Sequence, residues 1–381
     1  YPQERVYFGE PYQEALGKEV DRVGAKRVFL LASTSLVNNT DLITRLEQTL
    51  GSRYAGLACG MPSHTPREAV LSMANAAREA AADLIVTFGG GSLTDGGKMV
   101  RICLEYDIRD HDGFEPFRVV VDANGNTHHP HYDAPSIAQI TIPTTLSAGE
   151  FGISAGCTNT HEHAKQTFRH ETLIPRAVIL SPEVTFPTPQ WLWLSTGMRA
   201  VDHCVETICS HLSNFQSDGA ALHGLRLLAE ALPRTMQDPS DSEARLKCQV
   251  GAWQSMERNQ SGVSMGASHG IGHVLGGTCN VPHGHTSCVM LPAALRWNVS
   301  VNAERQALVS AAMGHPGRAA GDVVEDFVRA LGQPTRLSEV GIGRERFAEI
   351  AQHAMHDRYI HTNPRPMTSP DDVMQVLELA S

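Results

Sequence analysis

The stretch DLIVTFGGGSLTDGGK, residues 83–98, decides the fold. Its first part, from Asp83 to Phe88, is a short and nearly continuous apolar run, which is typical of a strand covered on both faces by helices. Three glycines follow the run, and a segment with helical character comes after them. A strand, a glycine-rich turn and a helix in this order indicate an α/β fold with a parallel sheet.

Further strand-like runs lie almost wholly in the first half of the chain. They are Arg27–Ala32, Ile137–Ile142 and Arg176–Leu180, with a helical pattern over Pro66–Ala82 between the first two. From about Pro182 the strand signals vanish, and apolar residues recur at helical spacing over Ala220–Leu232, Ser242–Met256, Ala303–Met313 and Asp322–Leu331. We therefore predict a doubly wound, Rossmann-like α/β domain over residues 1–181 and an all-helical domain over residues 182–381.

Length and composition limit the function classes. A chain of 381 residues is expected to form two domains. Its 31 Lys and Arg residues against 41 Asp and Glu residues give a net charge of −10, which argues against nucleic-acid and anionic-membrane partners. With no long apolar run, no signal-peptide pattern and eight scattered cysteines, the sequence predicts a soluble cytoplasmic protein with reduced thiols.

One segment interrupts the α/β pattern. From Arg118 to His131 an extended run meets Asn124-Gly125 and turns back, which predicts a β-hairpin with a type I′ turn. His128, His129 and His131 could bind a metal there, but exposed loop histidines are the favoured interpretation. The role of the surrounding loop, residues 105–136, stays open.

The glycine-rich turn is a candidate cofactor site. Gly89, Gly90, Gly91 and Ser92 follow a strand and precede a helix that carries Asp95. Glycines let backbone N–H groups approach a pyrophosphate, and the helix N-terminus adds its partial positive charge. The alternative is an ordinary tight turn, since the GxGxxG fingerprint is absent.

A second polar turn follows the strand at Ile137–Ile142. Its sequence is PTTLSAGE, residues 143–150, and Thr144, Thr145 and Ser147 offer hydroxyls that could contact ribose or phosphate. Ligands of open α/β sheets bind at the carboxyl ends of the strands, where this turn lies. A plain helix N-cap is the alternative interpretation. We also include Lys165 among the candidate cofactor-binding residues.

The helical half carries a group of histidines. His269 and His273 are four residues apart and share one helix face, and His283 follows in the next segment. Upstream, Arg199 and His203 show the same spacing. These side chains are predicted to converge on one site, whereas the alternative is a set of capping and surface histidines.

Together these motifs make the sequence resemble the iron-containing (group III) alcohol dehydrogenase superfamily, including its maleylacetate reductase branch. The resemblance covers nearly the whole chain. It rests on Phe8-Gly9, GGGSLTDGGK (89–98), PTTLSAGE (143–150), GMRAVDH (197–203), SHGIGHVLGGTCNVPHGH (268–285) and Asn363-Pro364-Arg365-Pro366. The HVLGG segment favours the reductases, and the PHG segment is the alcohol dehydrogenase form.

The resemblance implies the group III alcohol dehydrogenase (dehydroquinate synthase-like) fold, with NAD(P) bound by the α/β domain, a catalytic cleft between the domains and a homodimer. In metal-dependent members an Asp and three His hold iron or zinc. The three His positions fall on His203, His269 and His283, and a further active-site His falls on His273. The Asp position holds Arg199 instead.

Arg199 changes the expected chemistry. A guanidinium has no lone pair to donate and repels a cation, so we expect no tightly bound metal, although three histidines could still bind iron or zinc weakly. Arg199 could instead bind a substrate carboxylate or stabilise an oxyanion. His273 or a neighbouring histidine would then donate the proton that accompanies hydride transfer.

The end of the first predicted strand bears on cofactor choice. Metal-dependent members commonly place an acidic residue there, and this chain has Ser33. Without that carboxylate, the 2′-phosphate of NADPH meets no repulsion. We therefore expect NADPH to be accepted alongside NADH.

Three functions remain in consideration. The first is an NAD(P)H-dependent reductase of a small, maleylacetate-like oxo-acid without tightly bound metal. The second is an iron- or zinc-dependent alcohol or aldehyde dehydrogenase, favoured by the three intact histidines. The third is a catalytically silent NAD(P)-binding protein in which Arg199 marks the loss of activity.

Overall fold

A computed structural model of the protein describes residues 2–121, 127–162 and 164–381. The chain forms two compact units, Tyr1–Pro187 and Thr188–Ser381. The sequence predicts this boundary slightly earlier, between residues 181 and 182, where the strand signals end. The first unit contains strands and helices, and the second is built from helices.

The first unit is built on a six-stranded sheet in which every neighbouring pair is parallel. The strands of this unit are β1 (Arg5–Phe8), β2 (Val28–Ala32), β3 (Tyr54–Cys59), β4 (Leu84–Gly89), β5 (Val120–Val121), β6 (Thr127–His128), β7 (Ala138–Pro143), β8 (Ser154–Asn159), β9 (Ala164–Arg169) and β10 (Ala177–Leu180). The order across the sheet is β3-β2-β4-β7-β10-β1. The chain runs from β2 outward to β3 and then crosses to β4 on the other side of β2. Open α/β sheets bind ligands at such a reversal, beyond the carboxyl ends of the strands.

Helices cover both faces of this sheet. They are α1 (Tyr12–Val23), α2 (Thr34–Asn39), α3 (Leu42–Leu50), α4 (Arg67–Glu79) and α5 (Gly91–Glu105). All residues of β2 are buried, and they alternate between two cores. Leu30 packs with side chains of α1 and α3, whereas Leu31 packs with side chains of α4 and α5. This two-sided burial explains why the strands are continuous apolar runs in the sequence.

The predicted strands are confirmed as β2, β4, β7 and β10. The predicted hairpin is confirmed by the antiparallel pairing of β5 and β6, whereas Asn124-Gly125 lies outside the described residues. His128, His129 and His131 are exposed. Three further features carried no clear signal: the edge strand β1, the glycine-containing β3, and the hairpin β8–β9, in which only alternate residues are buried.

The second unit confirms the all-helical prediction, since residues 188–381 are fully described and contain no strand. Its helices are α6 (Gln190–Cys209), α7 (Phe215–Gln237), α8 (Ser242–Gln254), α9 (Ala267–Cys279), α10 (His283–Ala312), α11 (Ala320–Ala330), α12 (Phe347–Ala354) and α13 (Pro370–Leu379). The predicted helix at Ala303–Met313 is the last part of α10, beyond non-helical backbone at Asn302. One core cluster joins α9, α10, α12 and α13.

Two expectations from the sequence concern membrane-spanning helices and the state of the cysteines. None of the helices found there has both the length and the apolar character needed to cross a membrane. The eight cysteines are free thiols, which agrees with the expectation of reduced cysteines.

Candidate functional site

The carboxyl ends of β2, β4 and β7 bring predicted cofactor-binding residues to one edge of the sheet. Ser33 follows β2 and donates its backbone N–H to the carbonyl of Phe88 at 3.1 Å. Thr144 follows β7 and donates its N–H to the carbonyl of Gly89 at 3.0 Å. This edge includes the reversal between β2 and β4, where the topology predicts a ligand site.

The glycines at this edge leave no room for side chains. A Cβ added to Gly89 would overlap the hydroxyl of Ser33, and one added to Gly91 would lie 2.7 Å from Oγ of Ser147. Helix α5 begins at Gly91, and the first amides of a helix have no partner within it. Bare backbone at a helix N-terminus suits a pyrophosphate. We call the turn formed by Gly89, Gly90 and Gly91 the cradle, and it fits a dinucleotide cofactor.

Thr145 and Ser147 complete the cradle. The hydroxyl of Thr145 donates to Oγ of Ser147 at 3.4 Å, and its methyl group would lie 3.3 Å from a Cβ on Gly90. The structure therefore brings Ser33, Gly89, Gly90, Gly91, Thr144, Thr145 and Ser147 together.

The remaining predicted cofactor residues are engaged with protein backbone. Oγ of Ser92 accepts the N–H of His64 at 3.2 Å, and Oδ2 of Asp95 accepts the N–H of Gly156 at 3.0 Å. The side chain of Lys165 lies across Gly156. Ser92 and Asp95 thus tie α5 to the loop that follows β3 and to the hairpin β8–β9.

Lys98, the last residue of GGGSLTDGGK, binds backbone carbonyls of a neighbouring loop. Its side chain is fully buried, and Nζ donates to the carbonyls of Gly149, Gly152 and Ser154 at 2.7, 2.9 and 2.8 Å. Burial lowers the pKa of Lys98. The ammonium group therefore orders the loop that follows the second polar turn.

In the second unit, a polar stripe runs along one face of α6. Arg199, Asp202, His203 and Glu206 are spaced i, i+3, i+4 and i+7, so they share that face. The neighbouring residues of this helix are mostly apolar and buried. Sequence reasoning identified Arg199 and His203 and missed Glu206, although the spacing of the stripe could have revealed it.

Glu206 holds the N-terminus of α9. Its Oε2 accepts the N–H of Gly266 at 2.9 Å and pairs with Nδ1 of His269 at 2.8 Å. Its Oε1 accepts the N–H of Ser268 at 2.9 Å. Burial, followed by the nearby charge of Asp202, raises the pKa of Glu206 to about 8. This carboxyl group therefore fixes the position of the His269 ring.

Arg199 and Asp202 lie beside this network without a direct hydrogen bond between them. Nη1 of Arg199 is 3.9 Å from Oδ2 of Asp202 and donates to Oγ of Ser287 at 3.2 Å. Oδ2 of Asp202 accepts the hydroxyl of Ser268 at 2.9 Å. Burial raises the pKa of Asp202 to about 6, against the opposing effect of Arg199. Burial lowers the pKa of Arg199, yet a guanidinium stays protonated in proteins.

His203 and His269 form a stacked pair. Their ring centroids are 4.9 Å apart with an interplanar angle of 27°. Burial lowers the pKa of each well below its ordinary value, and the charges of Arg199 and Arg258 lower it further. Both rings are therefore neutral at neutral pH. Nδ1 of His203 and Nε2 of His269 are buried without a hydrogen-bond partner in the described structure, so each is available to a ligand or water.

His273 differs from this pair in exposure and partner. Its Nδ1 lies 2.8 Å from Oδ2 of Asp357, and its side chain is 38% exposed. Its ring lies 6.4 Å from that of His269 and 5.4 Å from that of Tyr359. With Asp357 paired to Nδ1, the other ring nitrogen is available for proton transfer. Asp357 lies between α12 and α13, where no local pattern pointed to it.

His283 begins α10, and its ring lies against α9. A Cβ added to Gly276 would be 2.9 Å from Cε1 of His283. The described contacts bring His203, His269 and His273 together with Arg199, whereas the packing of His283 is against Gly276.

The predicted metal ligands do not form a close cluster. In the described part of the chain, two groups of potential ligands have all their atoms within 4.8 Å, and neither includes His203 or His283. One group is Asp202, Glu206 and His269, whose facing atoms already form the hydrogen bonds described above. The guanidinium of Arg199 adds a positive charge beside them. A cation bound here would have to replace these hydrogen bonds and would meet the positive charge of Arg199.

Comparisons with known proteins place this arrangement in a family. A model described as "Iron-containing alcohol dehydrogenase" matches residues 2–182, and one described as "Fe-containing alcohol dehydrogenase family, C-terminal" matches residues 193–381. The chain belongs to the iron-containing alcohol dehydrogenase family. The predicted family and two-part fold are thereby confirmed, and a nicotinamide cofactor is implied by the family.

Relatives in this family include dehydrogenases and reductases. Dehydrogenase FUM7 of Gibberella moniliformis is 32% identical over 99% of this chain and 96% of its own length. Maleylacetate reductase 1 of Cupriavidus pinatubonensis is 29% identical over 99% of this chain and 94% of its own. The crystal structure of maleylacetate reductase from Agrobacterium tumefaciens has a TM-score of 0.82 at 28% identity, covering 99% and 95% of the two chains. The chain is therefore an oxidoreductase of the maleylacetate reductase-like branch.

Proposed function

We propose that the chain reduces a small oxo-acid of the maleylacetate class with NAD(P)H and without a tightly bound metal. The observation that carries this proposal is Arg199, a buried cation on the polar stripe of α6 at the position where metal-dependent members have an Asp. The maleylacetate reductases among the relatives support the same substrate class.

Arg199 is suited to bind an anionic group. Its side chain is 14% exposed, and its described hydrogen bond is to the neutral hydroxyl of Ser287. The nearest oxygen of Asp202, at 3.9 Å, is beyond hydrogen-bond range. Donors of the guanidinium therefore remain for a substrate carboxylate or for the oxygen that becomes negative during reduction.

His273 is the best candidate for the proton donor. The chemistry that a reduced nicotinamide supplies is hydride transfer to a carbonyl carbon. The carbonyl oxygen then takes a proton, which His203 and His269 cannot provide because they are neutral at neutral pH. Asp357 pairs with Nδ1 of His273 and orients the ring, so Nε2 is the nitrogen that would donate the proton.

The cradle at the sheet edge would hold the cofactor. Gly89, Gly90 and Gly91 offer bare backbone to the pyrophosphate, with hydroxyls of Thr145 and Ser147 beside them. Ser33, at the end of β2, places a neutral hydroxyl where a carboxylate would repel a 2′-phosphate. We therefore expect both NADH and NADPH to support turnover.

A metal-dependent alcohol or aldehyde dehydrogenase is the second candidate. It is favoured by the two buried imidazole nitrogens without a partner, Nδ1 of His203 and Nε2 of His269. Neutral imidazole is a common ligand of iron and zinc.

One experiment separates the candidates. Metal content would be measured in chelator-treated and untreated protein, together with the oxidation of NADH and NADPH in the presence of maleylacetate or simple aldehydes. We expect oxo-acid reduction that survives chelation, with either cofactor. Activity that disappears with chelator and returns with iron or zinc would establish the metal-dependent dehydrogenase. Cofactor binding without turnover on any substrate would indicate a silent protein.

A further inference from the structure

A second cluster of potential metal ligands lies in the first unit, away from every residue of the proposed reaction. Glu68 is in the first turn of α4, His111 precedes the short helical turn Asp112–Phe117, and His161 is in the turn of the hairpin β8–β9. One potential ligand atom from each lies within 4.8 Å of the other two. Three separate segments thus meet at this point.

The residue types of the cluster and their proximity suit a metal with nitrogen and oxygen ligands. Nε2 of His111 lies 2.9 Å from Oε1 of Glu68. The rings of His111 and His161 are stacked, with centroids 4.0 Å apart and an interplanar angle of 14°, so one ring must turn before both can bind the same ion. Two imidazoles and one carboxylate are a common three-ligand set for zinc, with water in the fourth position.

The carboxylate of Glu68 is ionised and oriented. The hydroxyl of Thr160 donates to the same oxygen that faces His111. A carboxylate held by a neighbouring donor is the usual arrangement around a bound metal.

Buried Arg67 fixes the backbone around the cluster. Its side chain is 1% exposed, and its Nη1 donates to the carbonyl of His111 at 2.6 Å. Its Nη2 donates to Glu115 and to Gln166 of β9. Because the guanidinium is engaged in these contacts, it positions the ligands and leaves the cluster open to a cation.

The cluster is also accessible and incompletely hydrogen-bonded. The side chain of Glu68 is 52% exposed and that of His111 is 15% exposed, so a hydrated ion can reach them. Nδ1 of His111 is buried and has no partner in the described structure. This nitrogen lies on the opposite side of the ring from Nε2, which faces Glu68, so Nε2 is the nitrogen that an ion in the cluster would meet.

We propose that Glu68, His111 and His161 form a binding site for zinc or a similar divalent transition metal. The two imidazoles favour such ions over magnesium or calcium, which prefer oxygen ligands. The site links the turn of the β8–β9 hairpin to α4. The same hairpin contains Gly156, whose N–H is held by Asp95, so the bound metal stiffens one wall beside the cofactor cradle.

The test is calorimetric titration of zinc chloride into the chelator-treated full chain. We expect one zinc ion per chain to bind at this site. Replacing either histidine, His111→Ala or His161→Ala, should weaken this binding by about tenfold or more, and Glu68→Gln should weaken it as well. The matched control is His353→Ala, which removes an exposed histidine of α12 and should leave zinc binding unchanged.

Further measurements keep the outcome unambiguous. Circular dichroism would show that each variant is folded, and His161→Asn, a milder change in an exposed turn, should also weaken zinc binding. The double variant His203→Ala/His269→Ala should keep it. The proposal is overturned if the wild type binds no zinc, or if binding persists in the His111 and His161 variants. Because the cluster shares no residue with the proposed reaction, neither result decides whether the chain reduces oxo-acids.

Discussion

At the scale of single residues, Arg199 sets the electrostatics of the helical unit. Burial lowers the pKa values of His203 and His269 most, and the charge of Arg199 lowers them further, so both rings stay neutral. Arg199 also opposes the rise in the pKa of Asp202 that burial causes. A carboxylate at the same position would have the reverse effects and would attract a cation. The positive charge of Arg199 therefore supports the proposal that this site binds an anionic group.

Replacing Arg199 should remove most of the activity on an oxo-acid. For Arg199→Gln we expect kcat/KM to fall by about 10²–10³-fold, which is typical for the loss of one donor to a developing oxyanion. Arg199→Lys should retain an intermediate activity because it keeps the charge without the planar pair of donors. Steady-state kinetics with maleylacetate would measure both variants. Arg344→Gln, at an exposed position, is the control, and an unchanged kcat/KM in Arg199→Gln would contradict the proposed role.

His273 and Asp357 should act as a pair. His273→Ala should lower kcat by about 10²–10⁴-fold, the usual contribution of a general acid. Asp357→Asn should also lower kcat while leaving KM nearly unchanged, because the amide no longer holds Nδ1 of His273 as the carboxylate does. A structural role for Asp357 alone would change the melting temperature and leave kcat unchanged. That result would remove Asp357 from the mechanism.

At the scale of elements, the cradle depends on three strand ends that meet at one edge. Gly89→Ala would place a methyl group on the hydroxyl of Ser33 and 2.8 Å from Leu93. The end of β4 and the start of α5 must then separate, so we expect weaker binding of NADH. Fluorescence titration with NADH would measure the change in affinity, and thermal denaturation would report any loss of folding.

The control for this variant is Gly219→Ala in α7. No atom lies within 4 Å of a Cβ at Gly219, and alanine favours a helix over glycine. Its melting temperature should stay the same or rise slightly, and its NADH affinity should not change. Equal NADH affinity in Gly89→Ala and the wild type would indicate that the cofactor does not approach this turn.

The same elements show what the sequence could and could not predict. Strands buried on both faces, such as β4, are recognisable because nearly every residue is apolar. The edge strand β1 and the half-exposed β9 lack this pattern and were missed. Within the site, residues on one helix were predictable from their spacing. Asp357 reaches His273 across 84 positions of sequence, and such a contact depends on tertiary packing alone.

At the scale of the whole molecule, buried ionisable groups make stability depend on pH. Burial raises the pKa values of Glu150, Asp202 and Glu206, and it lowers those of His203 and His269. A carboxyl group with a raised pKa contributes stability that is lost as pH rises through its folded-state pKa. A histidine with a lowered pKa acts in the opposite direction, but its contribution is complete above about pH 6.5.

Glu150 allows this linkage to be measured at one residue. It is 2% exposed, its Oε2 has no partner in the described structure, and burial raises its pKa to about 7. Between about pH 4.5 and pH 7 the unfolded chain releases this proton while the folded chain keeps it, so the group loses its stabilising contribution as pH rises. Glu150→Gln has the same shape and cannot titrate. We would compare the melting temperature of this variant with that of the wild type at each pH. As pH rises from about 5 to about 8, the difference should shift by about 2 °C or more in favour of the variant. Parallel curves for the two proteins would mean that Glu150 is ionised in the fold at every pH tested.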